Sequence, residues 1–299
     1  EPIRIRTMQE FATRFRPYGL REDALHPCYG LAEATLMLSG QFAEQGPQHR
    51  HFDPAALAAG RAIEHSQGTP LVDCGSAPTG HSVRIVNPQT GTECYEGNIG
   101  EIWFAGASVA AGYWNRPSAS QETFAATMVG ESHMRFLRTG DLGFLASGKL
   151  FVCGRLKDVI IIRGQNVYPQ DIEQAVGDRV TGVRRGRVAA FPAVIDGEET
   201  IGIAAEVSRR RNDEGDIAQV TGDIQNAVKE SHSEPVGVVM LLRPGTLPRT
   251  SSGKIQRSMC AERWQNDSLR PVALFRRDQA ATASIKAGAV HAPHESATE

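Results

Sequence analysis

The chain has 299 residues, 40% of them apolar, and its acidic and basic side chains nearly cancel to a formal net charge of -2. That length and composition suit a globular protein of roughly one to two domains with a substantial core. The near-neutral balance excludes a strong global field, so neither nucleic acid nor an anionic lipid surface is expected as a partner.

The cysteines Cys28, Cys74, Cys94, Cys153 and Cys260 are scattered and form no C-x-x-C pair, which reads as reduced thiols rather than zinc, disulfide or redox chemistry. No run approaches the roughly 18 apolar residues of a membrane span, and no basic-then-apolar leader opens the chain, so a cytoplasmic location is expected. The chain begins at Glu1 without methionine and runs directly into apolar sequence, an opening expected of a truncated chain.

Taken in chain order, residues 7 to 16 place Met8, Phe11, Ala12 and Phe15 at helical spacing behind Thr7, a good cap, and predict an amphipathic helix. CYGLAEATLMLSG, residues 28 to 40, starts at a turn-prone Tyr29-Gly30 and continues as an apolar run of helix formers. Gln41 to Ser76 is polar and turn-rich and reads as an insertion, with Asp53-Pro54 opening a capped short helix. His49, Arg50 and His51 lie in it without ligand spacing, as a solvated loop would. Between Val83 and Phe151 the runs VRIV, GEIWFAG and KLFVCG alternate with Gly, Pro and Asn, predicting a small antiparallel or barrel-like region. Beyond Gly154, the strand-like runs DVIIIRG, GRVAAFPAV, IGIAAEV and VGVVMLL alternate with helix-like ones such as YPQDIEQAV, and describe a second, compact α/β domain. The end of the chain is rich in Ala, Ser, Thr and His without apolar periodicity, and a disordered tail is expected over residues 276–299.

Four stretches can carry chemistry. In LPRTSSGKIQR, residues 247 to 257, small and hydroxyl-bearing residues precede Lys254, which suits an anion. It is not a Walker loop, because the interval from Gly245 to Gly253 is too long and Ile255 replaces the metal-binding hydroxyl. A solvated turn explains it equally well. In LRTGDLGFL, residues 137 to 145, Asp141 stands between glycines where a carboxylate can accept both hydroxyls of a ribose; Thr-Gly-Asp is also an ordinary turn. In GRLKDVIIIRGQNVYPQDIE, residues 154 to 173, Arg155 can fork onto phosphate or ribose oxygens and Lys157 can sit at a pivot, although a charged hairpin tip fits as well. In CYGLAEAT, Tyr29 can stack on a base and Glu33 can help to hold a divalent cation, while a buried tyrosine and a first-turn glutamate are the plain alternatives. Neither G-x-S-x-G nor G-x-G-x-x-G occurs.

In this order, CYGLAEAT, LRTGDLGFL, GRLKD with IIIRGQNVYPQDIE, and PRTSSGK resemble the adenylate-forming superfamily of acyl ligases, over roughly residues 1 to 275. CYGLAEATLMLSG, GEIWFAGASVAAGYWNRP and GRLKDVIIIRGQNVYPQDIE are similar to its fatty acyl-AMP ligase branch, and Gln41 to Ser76 lies where that branch carries an insertion absent from acyl-CoA ligases. The resemblance implies an α/β fold with α+β character. Residues 1–156 are then the carboxyl-terminal part of a large adenylating domain (insertion-like segment 41–76), and 157–275 a small mobile carboxyl-terminal domain. It implies a fatty acid activated with ATP and Mg2+ to acyl-AMP, then passed to the phosphopantetheine thiol of an acyl carrier protein or of a carrier domain in a polyketide or peptide synthase. Tyr29 and Gly30 would line the adenine pocket, Glu33 would assist Mg2+, Asp141 would hold the ribose, Arg155 would contact the nucleotide, Lys157 would be the hinge, and Lys254 would be the catalytic lysine, binding the nucleotide as it bridges the acid carboxylate and the α-phosphate. The Ser/Thr/Gly-rich loop that grips the β and γ phosphates in the family has no counterpart here, and Glu1-Pro2 looks like the remainder of a Gly-Ala-Glu-Pro strand. An acyl-CoA ligase and a noncatalytic binding module are the competing expectations.

Overall fold

The computed structural model describes residues 2–41, 46–208, 214–232 and 235–279. Residues 280–299 of the expected tail lie outside them. The chain divides into two compact units, Glu1–Gln170 and Asp171–Glu299, where the sequence suggests a boundary at Lys157.

The first unit opens with α1 (Ile5–Phe15), on the periodicity read from the sequence. The helix starts ahead of Thr7, so the expected cap lies inside it; Arg4 stands at the N-cap without a side-chain bond. The apolar run after Tyr29 is not helical. It forms a hairpin of β1 (Cys28–Leu31) and β2 (Leu36–Gly40), joined through a short 3-10 turn at Ala32–Ala34. Backbone geometry overrides helix propensity here. Thr35 and Leu36 hold positive φ angles of 58° and 113°, and Gly30 lies so close to β2 that a Cβ would sit 1.6 Å from the Leu36 carbonyl oxygen.

The insertion-like segment leaves and returns at one point, where Gly40 and Ser76 exchange two N–H···O bonds of 3.1 Å. Inside it, β3 (His49–Phe52) pairs antiparallel with β4 (Thr69–Val72), so the His49-Arg50-His51 run expected as a loop is a strand. Between them α2 (Pro54–Ala58) is capped as expected: the Asp53 carboxylate accepts the Ala56 N–H at 2.9 Å. Phe52 is buried and meets Phe144 and Phe151 edge-on, with centroids 4.9 and 5.4 Å away. Those contacts fasten the segment to the main sheet.

That sheet is antiparallel and open. Its strands are β5 (Ser82–Val86), β6 (Gly100–Ala105), β7 (Ala126–Met128), β8 (Glu131–Ala146) and β9 (Lys149–Arg155), with α3 (Pro117–Phe124) between β6 and β7. The order is β5-β6-β8-β7, and β9 also pairs with β8. Ile85, Ile102, Phe104, Leu137 and Leu150 form one of its buried faces. LRTGDLGFL, whose Thr-Gly-Asp also suits an ordinary turn, lies in the second half of β8. The chain keeps its direction there and bulges: Glu101 pairs with Leu142 and Trp103 with Arg138, so Ile102 alone faces Thr139, Gly140 and Asp141. The unit closes with the hairpin of β10 (Ile160–Ile162) and β11 (Gln165–Val167), turned by positive φ at Arg163 and Gly164. The chain then enters α4 (Pro169–Arg179), with proline in its first turn as expected.

The second unit holds a mixed sheet of β12 (Val183–Ile195), β13 (Glu198–Val207), β14 (Val236–Leu242) and β15 (Ala273–Arg276), in that order. The parallel pair β13–β14 needs a crossover, supplied by α5 (Glu214–Ser231). Phe191, Ala204, Val238, Met240 and Leu242 form the core with Cys260 of α6 (Arg257–Gln265). Arg276, where the tail is expected to begin, is the last residue of β15. No helix among the described residues is long and apolar enough to cross a membrane.

Candidate functional site

The β1 hairpin and the bulge of β8 bring three of the predicted residues together. Tyr29 donates its O–H to Asp141 Oδ2 at 2.6 Å. Arg155, opposite Asp141 in the β8–β9 register, donates Nε–H to Oδ1 at 3.3 Å. The carboxylate therefore rests on a neutral donor at one oxygen and a cation at the other. Asp141 is 17% exposed and Arg155 70%, so the ion pair is largely solvent-screened and leaves the guanidinium free to turn to an incoming anion. Burial, reinforced by the Asp141 charge, pushes the Tyr29 phenol well above its ordinary pKa, which keeps its hydroxyl a donor.

The bulge itself is braced. The Asp141 N–H reaches Thr139 Oγ1 at 3.1 Å, and the Thr139 hydroxyl donates to the Ile102 carbonyl at 2.7 Å. The Gly140 N–H ends on the Glu101 carboxylate at 3.1 Å. Sequence reading missed Glu101 and Thr139. The available signal was an acidic residue in the apolar run GEIWFAG, every position of which from Gly100 to Ala105 is buried.

Gly30 directly follows Tyr29 and lets β1 approach β2, while Glu33 stands on the turn beyond, outside the Asp141 cluster. The Tyr113 O–H donates to Glu33 Oε1 at 2.8 Å, and the Glu33 carbonyl accepts the Ala110 N–H at 2.8 Å. Burial and then this bond raise the Tyr113 pKa. Tyr113 is a second residue missed, its ring set edge-on against Phe124. With Oε1 occupied by Tyr113, Glu33 offers Oε2 to a cation. One half-buried carboxylate oxygen fits magnesium, which retains water and takes its other oxygens from phosphates. Among the described residues no group of three or more His, Cys, Asp or Glu side chains could hold a metal.

Lys157 is exposed in the turn after β9, where Asp158 N–H returns to the Arg155 carbonyl at 3.1 Å. Lys254 belongs to the second unit. Its loop is closed on itself: Arg249 bridges Ile255, Thr250 N–H reaches the Lys254 carbonyl at 2.8 Å, and Thr250 Oγ1 accepts the Lys254 N–H at 3.0 Å. The Gly253 N–H reaches the Thr250 carbonyl at 2.9 Å, with positive φ at Gly253. Amides and a hydroxyl that the sequence offers to an anion are thus spent on the loop, and Lys254 is presented, exposed, by a prefolded turn.

A family model described as AMP-binding enzyme matches residues 1–114, and one described as Disco-interacting protein 2-like, AMP domain, matches residues 157–273. The medium-chain-fatty-acid–[acyl-carrier-protein] ligase JamA of Moorena producens is 43% identical over 277 residues, 90% of this chain and 46% of that protein. A long-chain-fatty-acid–AMP ligase of Mycobacterium marinum is 40% identical over 279 residues, 89% of this chain and 47% of that one. A solved chain from structural and functional studies of fatty acyl-adenylate ligases from E. coli and L. pneumophila matches with a TM-score of 0.76 at 31% identity, covering 89% of this chain and 46% of its own. The chain spans about half the length of the relatives it matches.

Proposed function

We propose that the chain belongs to the AMP-binding, adenylate-forming enzymes and serves the ATP-dependent activation of a fatty acid to acyl-AMP for transfer to a carrier-protein thiol. In the first step a carboxylate oxygen attacks the α-phosphorus of ATP and pyrophosphate leaves. In the second a thiol sulfur attacks the acyl carbon, loses its proton, and AMP leaves. The observation that carries this reading is the Asp141 carboxylate, held by Tyr29 on one side and by a replaceable Arg155 on the other. Two adjacent acceptor oxygens match the vicinal hydroxyls of a ribose, and Arg155 can turn to the nucleotide as they bind.

Tyr29 and Gly30 form a wall of the adenine pocket in this proposal. Glu33 holds Mg2+, which when bound neutralises phosphate charge. Lys254 reaches the acid and the α-phosphate as a mobile point charge, and Lys157 is the pivot of the small carboxyl-terminal domain over 157–275. Contacts to the β and γ phosphates come from a Ser/Thr/Gly-rich loop that this chain does not contain. Free thiols at all five cysteines support a cytoplasmic setting.

Pyrophosphate release dependent on a medium- or long-chain fatty acid, measured on the full-length gene product, tests the reading; no release with any acyl chain would sink it. The insertion-like segment favours acyl-AMP over coenzyme A thioester as the product released for transfer. Acyl-AMP should therefore accumulate without coenzyme A, and adding coenzyme A should yield no thioester.

A further inference from the structure

We propose that Glu101 is a positioning residue for the nucleotide site, locking the bulge from which Asp141 meets the ribose; this rests on the reading of Asp141 given above. Four donors converge on its carboxylate. Oε2 accepts Arg138 Nε–H at 2.9 Å, Arg138 Nη2–H at 2.7 Å and Trp103 Nε1–H at 2.9 Å, while Oε1 accepts the Gly140 N–H at 3.1 Å. The side chain is 2% exposed. A charge buried so deeply persists only when paired and hydrogen-bonded, and Arg138, which also lies 5.5 Å from the Trp103 ring centroid, supplies the pairing.

The backbone explains why a carboxylate is needed there. With Ile102 alone facing three residues of β8, the strand ladder has no acceptor for the Gly140 amide, and an amide in this half-buried strand without one is costly. Gly140 itself takes a φ of 70°, open to glycine without strain. Its carbonyl accepts the Leu156 N–H at 2.8 Å from the far side. The bulge is thus pinned by Glu101 on one flank and by the chain beyond β9 on the other. Asp141 is the next residue, so a turn of the Gly140 peptide would swing its carboxylate away from Tyr29.

Glutamine at this position is nearly isosteric but has one acceptor oxygen where glutamate has two. It can satisfy Arg138 and Trp103 or the Gly140 amide, not both, and the cationic side is the stronger claimant. The bulge is then released while the core volume is kept.

The test is calorimetry on this chain with two probes, AMP and 2′,3′-dideoxy-AMP, using wild type, Glu101→Gln and Asp141→Asn, each checked by thermal melting. Wild type should prefer AMP, Asp141→Asn should lose that preference, and Glu101→Gln should shrink it by about tenfold while leaving dideoxy-AMP affinity unchanged. Full preference in Glu101→Gln alongside its loss in Asp141→Asn overturns this proposal alone. An equal drop for both probes in Glu101→Gln means general damage and overturns it too. No preference in wild type, or a preference kept by Asp141→Asn, removes the ribose reading and this proposal with it. Should Glu101→Gln not fold, hydrogen exchange of the Gly140 amide in wild type decides: slow exchange supports the lock, and exchange as fast as an exposed loop amide refutes it.

Discussion

Replacing Tyr29 by phenylalanine keeps the ring and removes the donor that holds Asp141 Oδ2, so it separates the packing of this side chain from its orienting role. One net hydrogen bond is worth about 1 kcal/mol, which predicts an AMP affinity about fivefold weaker for Tyr29→Phe, read by calorimetry. The phenol, already pushed above its usual range, stays protonated, so the deficit should be flat from pH 6 to 9. Lys254→Ala acts on the chemical step. It should slow acid-dependent pyrophosphate release in the full-length gene product about a hundredfold to a thousandfold, the scale of losing one preorganised donor. A loss below threefold, with adenylation shown to be rate-limiting, would remove this lysine from the proposal. Tyr29, Asp141 and Arg155 are singled out in the sequence by the order of their motifs and not by local chemistry, since a buried tyrosine, an ordinary turn and a charged hairpin tip fit each stretch as well. Glu101 and Tyr113 are not, because what they do is set by pairings with Gly140 and Glu33, far away along the chain.

Between elements, a buried ion pair in the second unit joins α4, β12 and α6. Arg257 heads α6 and donates Nε–H and Nη2–H to the two oxygens of Glu173 on α4 at 2.7 and 2.8 Å, and Glu173 also accepts the Ala190 N–H of β12 at 3.1 Å. Both side chains are largely buried, 13% and 6% exposed. Arg257→Met should therefore destabilise the unit by about 3–5 kcal/mol in urea unfolding, and adding Glu173→Met should restore much of that, since the stranded charge and not the lost pair is the main cost. The Lys254 loop runs directly into this clamp, with Gln256 N–H on the Pro248 carbonyl at 3.0 Å. At this scale the sequence announces strands such as VGVVMLL, whose every residue is buried in β14. It misleads at CYGLAEATLMLSG, because the close approach of Gly30 to Leu36 and the left-handed turn at Thr35 outweigh the helix formers around them. Thr-Gly-Asp misleads for a related reason: a bulge inside a long strand uses the same residues as a turn.

Across the whole molecule, burial raises the pKa of one thiol in each unit, Cys74 in the first and Cys260 in the second. Both are lifted from an ordinary 9.0 to about 12, with Asp73 and Glu173 adding to the respective shifts. A raised folded pKa contributes stability that is intact below pH 9 and disappears as pH climbs from 9 toward 12. Each thiol should cost its own unit roughly 1.4 kcal/mol per pH unit across that window. Urea midpoints measured against pH should fall for both units, with Cys74→Ala flattening the slope of the first alone and Cys260→Ala that of the second alone. A common response of both units to one substitution would contradict this.

The double bond between Gly40 and Ser76 has an engineering consequence. The segment begins and ends at this clasp, although the Ala62 N–H on the Gly97 carbonyl and the Cys74 N–H on the Leu150 carbonyl also tie it to the unit, and a short splice across the clasp would let the chain continue without it. Phe144 and Phe151 would then lose the ring that shields them. A shortened variant should therefore keep its backbone path yet turn sticky, and polar replacements at those two phenylalanines would be the natural remedy.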